Sequence, residues 1–233
     1  MNLYLDIETI PAQDPAIHAM IAERVTAPAS HKKPETIAKW EAEEKPAAVA
    51  KAIADTSFDG GLGEVCCIGW AVGNRKVRSA TVKDGFDETD ALLAFFNSVE
   101  AEFAKEDTHA IPGHWSATII GHNVASFDIR FIWQRAIVLG VRVPSWFPRD
   151  PKPWGNDVFD TMTAFAGARG SISLDRLCGI LGIPGKDGFD GSMVAKAWAN
   201  GEHEKIAAYC RDDVERVRQV HRRMMVAYGQ EAA

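Results

Sequence analysis

The stretch Leu3 to Thr9, LYLDIET, constrains the chain more than any other. Its apolar and aromatic content predicts a buried strand that opens the fold, yet it carries two acids. Side chains alternate faces along a strand, so Leu3, Leu5 and Ile7 point one way while Tyr4, Asp6 and Glu8 point the other. Two carboxylates held as neighbours raise each other's pKa or wait for a cation, and oxygen-rich pairs of this kind suit hard ions such as Mg²⁺ or Mn²⁺. Taken alone, so short a motif favours the plainer reading, an ordinary strand with one wet, acidic face.

A chain of 233 residues is long enough for one good core, and a single domain over residues 1–233 is expected. Hydrophobic content of 46% and charged content of 25% are those of an ordinary globule. No apolar run approaches membrane-spanning length, and MNLYLDIET has neither a basic leader region nor a small-residue cleavage site, so no membrane partner and a cytoplasmic location are expected. Cys66, Cys67, Cys178 and Cys210 show no C-x-x-C spacing, which suggests neither a zinc site nor a disulfide framework. The formal net charge of -6 argues against a large nonspecific nucleic-acid binder, though not against an enzyme that grips a short strand around bound cations.

After the first strand, residues 11–60 form an insertion rich in Ala, Glu and Lys, predicted as one or two helices broken near Pro46. GEVCCIGWAVG then reads as a buried strand, KVRSATVKD as its partner strand, and DETDALLAFFNSVEAEFAKE as a helix. ATIIGHN is predicted as a short strand running into a turn, followed by a helix closed at Gly140. SLDRLCGILGIPG and DGSMVAKAWANG read as short helices, and a long helix over about residues 202–227 ends the pattern. Strands first, then helices alternating with a strand, indicate an α/β fold with a mixed sheet covered by helices.

In the last helix Ile206, Cys210, Val214, Val217 and Met224 form one apolar stripe, with Asp213 on or beside it and Arg211, Asp212, Glu215 and Arg216 on faces that water can reach. A buried carboxylate must be paired, protonated or bound to metal, so Asp213 needs a partner: a metal, or an arginine such as Arg216 or Arg169. Tyr209 sits one turn earlier on the same side. In the middle of the chain, GHNVASFDIRFI places His122 and Asn123 in a turn and Asp128 in a first helical turn, where an acid also serves as a dipole partner. Asp160 is expected to cap a helix rather than support the site.

The order of these elements is more specific than any member. LDIET, GHNVASFD and YCRDD resemble the three motifs of the DEDD-type (DnaQ-like) 3′–5′ exonucleases, which have the RNase H-like fold. The Tyr-x-x-x-Asp form is similar to that of the tyrosine subgroup; the histidine subgroup would want His where this chain has Ala208. GEVCCIGWA, SLDRLCGILGIPG and the YCRDDV helix look most like proteins related to the proofreading domain of B-family DNA polymerases. The likeness departs at the insertion, and since no polymerase module follows, a freestanding nuclease is expected.

The resemblance implies a two-metal hydrolysis of phosphodiester bonds, with Mg²⁺ or Mn²⁺ ions about 3.5–4 Å apart. Asp6 would bridge the ions, Glu8 and Asp213 would complete the site of the water-activating ion, Asp128 would serve the other, and Tyr209 would orient the water. Asn123 and the backbone at Thr9 and Ile10 match positions that contact the terminal nucleotide; His122 and Phe127 are further candidates that a turn residue and a core aromatic explain equally well. Trp40, Trp146 and Trp154 are candidate stacking aromatics or simple packing. Lys32, Lys33, Lys39, Lys45 and Lys51 of the insertion could contact phosphates, but their interleaving with Glu favours a solvated helix face. The expected substrate is single-stranded DNA or an unpaired 3′ end. Two rivals stand beside it: the same chemistry on RNA, and a non-catalytic module that binds nucleic acid or a replication partner.

Overall fold

The computed structural model describes residues 1–106, 116–153, 155–185 and 188–230. Strand β1 (Asn2–Ile10) lies at the centre of a five-stranded sheet with β2 (Glu64–Val72), β3 (Arg78–Thr81), β4 (Thr118–Gly121) and β5 (Val158–Asp160), in the order β3-β2-β1-β4-β5. β2 runs antiparallel to β1 and to β3, while β4 and β5 are parallel to β1 and to each other. The mixed sheet flanked by helices is the architecture that the element order predicts.

The alternation along β1 is realised as two cores. Leu3, Leu5 and Ile7 pack with Phe95 and Val99 of α4 (Glu88–Glu106) and with Ile129 and Ile132 of α5 (Asp128–Leu139). Tyr4 packs on the opposite face with Leu177 of α7 (Leu174–Leu181) and with Val214 and Val217 of α9 (His203–Ala227). Ile10 joins that face against α8 (Val194–Ala199) and Ile206 of α9. Every stripe residue from Ile206 to Met224 is buried, as the periodicity requires.

Three departures from expectation have local causes. The insertion holds three helices, α1 (Pro15–Arg24), α2 (Pro34–Glu43) and α3 (Lys45–Ala54), each with a proline in its first turn. The break expected near Pro46 is present between α2 and α3, and because proline in a first turn lacks only an N–H that would have no helical partner, Pro46 lies at the start of the second of these helices. Thr9 Oγ1 of β1 donates to Ser57 O at 2.7 Å and ties the insertion back to the sheet, while within the insertion Ala12 N donates to Thr56 Oγ1 at 2.8 Å. β5 is the second departure, since a strand of three residues shows no alternation. The third is Arg216, whose side chain is only 12% exposed.

Trp40 and Trp146 are both buried, the latter within an aromatic cluster with Phe95, Phe96 and Phe103, so neither offers a stacking face. Trp154 lies outside the described residues. Among the described residues no helix is long and apolar enough to cross a membrane.

Candidate active site

Asp6 and Glu8 of β1 lie against α9, and the strands and the helix approach closely there. Opposite Asp6 on β2 is Gly69, where an added Cβ would lie 2.8 Å from Cys210 Sγ and 3.1 Å from Cys210 O. The missing side chain therefore lets α9 settle directly on the strands. Cys210 Sγ reaches the Asp6 carbonyl at 3.5 Å, and donor atoms of Asp6, Glu8 and Cys210 all lie within 4.8 Å of one another. Burial pushes the Cys210 thiol well above its ordinary pKa, so it stays a thiol and leaves the carboxylates as the ligands on offer.

One residue before Cys210, Tyr209 turns its ring onto Phe189 with centroids 4.9 Å apart. Its hydroxyl is held strongly protonated, first by burial and then by the charges of Asp213, Glu8 and Asp6, with a hydrogen bond to Asp213 adding to the effect. Three carboxylates from two elements thus act on one phenol. Asp213, 5% exposed, also accepts from Arg216 Nη1 at 3.1 Å. Of the two arginines that the sequence offered, the partner is Arg216. It holds the carboxylate in place beside Tyr209.

Asp128 enters from the other side of β1. β4 pairs with β1 only as far as Tyr4, so beyond it the N–H of Ile7 has no strand to bond. Asp128 Oδ1 takes that N–H at 3.0 Å. The acid that opens α5 is therefore fixed between Asp6 and Glu8 in register. It is 4% exposed, and burial, helped by the nearby Asp160, pushes its pKa up to about 8.

The turn before α5 is tight. A Cβ at Gly121 would lie 2.5 Å from Val124 Cβ and 3.0 Å from Leu5 O, and Asn123 follows with φ of 62°. Asp160, 1% exposed, holds this turn by accepting Asn123 N at 3.0 Å and Ala125 N at 3.3 Å while also capping α6 (Thr161–Ala166) through Met162 N and Thr163 N. The expected cap is present, and the same carboxylate supports the site. His122 donates from Nε2 to Ile172 O at 2.8 Å and meets Thr161 Oγ1 through Nδ1 at 3.0 Å, so both ring nitrogens serve the turn. Phe127 packs on Phe131, and the Ile10 side chain is buried, which leaves only its backbone for contact. Beside Tyr209 opens a cleft of about 510 Å³ lined by Ser173, Leu174, Phe189 and Asp190. Sequence reasoning named none of these four as a site residue, although Ser173 and Leu174 open the SLDRLCGILGIPG stretch, because their approach to Tyr209 depends on contacts distant in sequence.

An all-oxygen donor set of buried and half-buried acids fits hard divalent ions such as Mg²⁺ or Mn²⁺. A protein-family model described as "Predicted 3'-5' exonuclease related to the exonuclease domain of PolB" matches residues 75–231, which include Asp128, Tyr209 and Asp213 but not Asp6 or Glu8. No curated protein matches the chain. Among solved structures it is similar to the family B DNA polymerase from the hyperthermophilic archaeon Pyrobaculum calidifontis, with a TM-score of 0.55 and 16% identity over 97% of this chain. The likeness is one of fold, the RNase H-like sheet and its helices, and it spans only 24% of the polymerase chain.

Proposed function

The chain belongs to the family of predicted 3′–5′ exonucleases related to the exonuclease domain of PolB, and from that premise we propose that it hydrolyses the terminal phosphodiester bond of single-stranded DNA or unpaired 3′ ends. The carrying observation is convergence: Asp6, Glu8 and Asp213 act on the Tyr209 hydroxyl, while Asp128 is bonded to the amide between the two strand acids. These four acids would hold two divalent cations, Mg²⁺ or Mn²⁺, which when bound activate water and stabilise charge on the attacking and leaving oxygens.

The remaining work falls to the protein's own groups. Tyr209 keeps its proton, so it acts as a hydrogen-bond donor that orients its neighbours and not as a base. Arg216 keeps Asp213 in place against the repulsion of the other acids. Asn123, positioned by Asp160, and the backbone at Thr9 and Ile10 would contact the terminal nucleotide, which would enter by the cleft beside Tyr209. His122 and Phe127 would shape the turn behind it. The hydrogen bond from Thr9 of β1 to Ser57 supports a single domain that includes the insertion.

The test is a time course on a 5′-labelled single-stranded DNA with Mn²⁺, beside RNA of the same sequence and an EDTA control. A descending ladder on DNA, abolished by EDTA, supports the proposal. A ladder on RNA alone moves the activity to RNA, where selection rests on the 2′-hydroxyl. Intact substrates with folded protein would overturn the enzyme reading in favour of a binding module.

A further inference from the structure

Among the described residues the sheet ends at β3, and no strand pairs with its outer side. Val82 N donates to Cys66 O, and β2 and β3 pair Ile68 with Ala80 and Trp70 with Arg78. Hydrogen-bonded pairs alternate along an antiparallel ladder, so the N–H and C=O of Ser79 and Thr81 point away from β2. They face a groove of about 1060 Å³ between α4 and α9, floored by the small residues Ala94 and Ala207.

The groove also contains polar atoms without partners. Trp70 is 4% exposed, and its Nε1, together with Ser98 Oγ and His203 Nδ1, finds no hydrogen-bond partner among the described residues. An indole N–H can only donate, so the wall of the groove holds a donor left unsatisfied among the described residues. The rim is basic: Lys76, Arg78, Lys83 and Arg211 line it against a single lining acid, Glu204, in a chain of net charge -6. Lys76 and Lys83 are exposed and make no ion pair among the described residues.

We propose that the β3 edge and its basic groove bind an extended acidic peptide of a partner protein, which adds to the sheet as a sixth strand. Strand addition supplies both donors and acceptors to the outward groups of Ser79 and Thr81. A nucleic-acid backbone supplies only anionic acceptors and would set them against the two carbonyls. A second copy of this edge would bring like charges together, because a basic edge repels its own kind. Acidic side chains of the added strand meet Lys76, Lys83 and the exposed side of Arg78. Docking occurs beside the catalytic cleft without filling it, since Thr81 pairs with Cys67 and Cys67 with Glu8, two strand spacings or about 10 Å away.

The test titrates the full chain into a fluorescein-labelled eight-residue peptide of alternating Asp and Val and reads anisotropy, with a Lys-for-Asp peptide and an eight-nucleotide oligo-dT competitor alongside. Saturable binding of the acidic peptide alone is expected, unmoved by oligo-dT. Ser79→Pro removes the outward N–H together with the hydroxyl that accepts from Arg211 Nη1 at 2.8 Å, so Ser79→Ala, which removes the hydroxyl alone, is its control. Ser79→Pro should weaken binding about tenfold relative to Ser79→Ala, and Lys76→Glu combined with Lys83→Glu, which reverses the rim, should weaken it about tenfold while leaving nuclease activity and melting temperature unchanged. Absence of saturable binding, displacement by oligo-dT, or affinity that survives the charge reversal would overturn the proposal.

Discussion

Asp128 Oδ1 accepts the backbone N–H of Ile7 at 3.0 Å, so the first residue of α5 is bonded to β1 between Asp6 and Glu8. That single bond sets the register between a helix and the strand that carries the other acids. It also fixes a carboxyl in an environment that favours its neutral form.

The pKa of Asp128, pushed up to about 8 by burial and by Asp160, has a consequence for stability. A carboxyl raised above its unfolded value of about 3.9 stabilises the fold fully at low pH and loses that contribution as pH rises through the folded value. His221, lowered to about 4 by burial, works in the opposite sense but only below about 6.5. In metal-free protein the melting temperature should therefore fall between about pH 6.5 and 8, and Asp128→Asn should flatten that slope. Calorimetric melts of both proteins across this window check it. A divalent ion needs the carboxylate, so added Mn²⁺ should release protons below pH 8 and should not do so in the variant.

Gly69→Ala places a methyl group 2.8 Å from Cys210 Sγ and 3.1 Å from both Cys210 O and Val214 Cγ2. The helix must lift, and Tyr209 and Asp213 lift with it. A loss of about 1–3 kcal/mol in urea unfolding is expected, with nuclease activity falling more than stability explains. Adding Cys210→Ala removes the sulfur contact, so the double variant should recover part of the loss.

Asp160 satisfies four backbone N–H groups from a site that is 1% exposed. Asp160→Ala should destabilise the protein by about 2–4 kcal/mol, since it leaves buried donors unpaired. Asp160→Asn keeps one acceptor and should cost less. Chemical denaturation gives the order, and the KM for an oligonucleotide should rise in both as Asn123 loses its anchor.

Tyr209→Phe removes a hydroxyl that donates among Asp213, Glu8 and Asp6 while keeping the ring on Phe189. The fold should be retained, and kcat should fall by about ten- to a hundredfold, the worth of one hydrogen bond to a charged group. Because the phenol stays protonated, the pH dependence of kcat should be the same in both proteins, which single-turnover cleavage across pH would show.

What the sequence disclosed was what local periodicity carries. Alternation along Leu3 to Glu8 put the two acids on one face, and the stripe from Ile206 to Met224 put Asp213 on the buried side of α9; both hold in the structure. Features set by contacts distant in sequence were hidden. The need for glycine at Gly69 depends on α9 crossing that strand, 141 positions away by residue number (210 − 69). The second role of Asp160 depends on β5 lying beside β4, and three residues are too few to reveal a strand. The choice of Arg216 over Arg169 for Asp213 required side-chain positions. Among the three helices of the insertion, the prolines marked starts that read equally as breaks.

The central claim is that acids from β1, α5 and α9 form one divalent-ion centre, and calorimetric titration of Mn²⁺ into the metal-free chain tests it most directly. Two ions per chain are expected, with affinity reduced about a hundredfold or more in Asp6→Asn, Asp128→Asn and Asp213→Asn while circular dichroism is unchanged. Mn²⁺ binding that is absent in the wild type, or indifferent to all three substitutions, would contradict it.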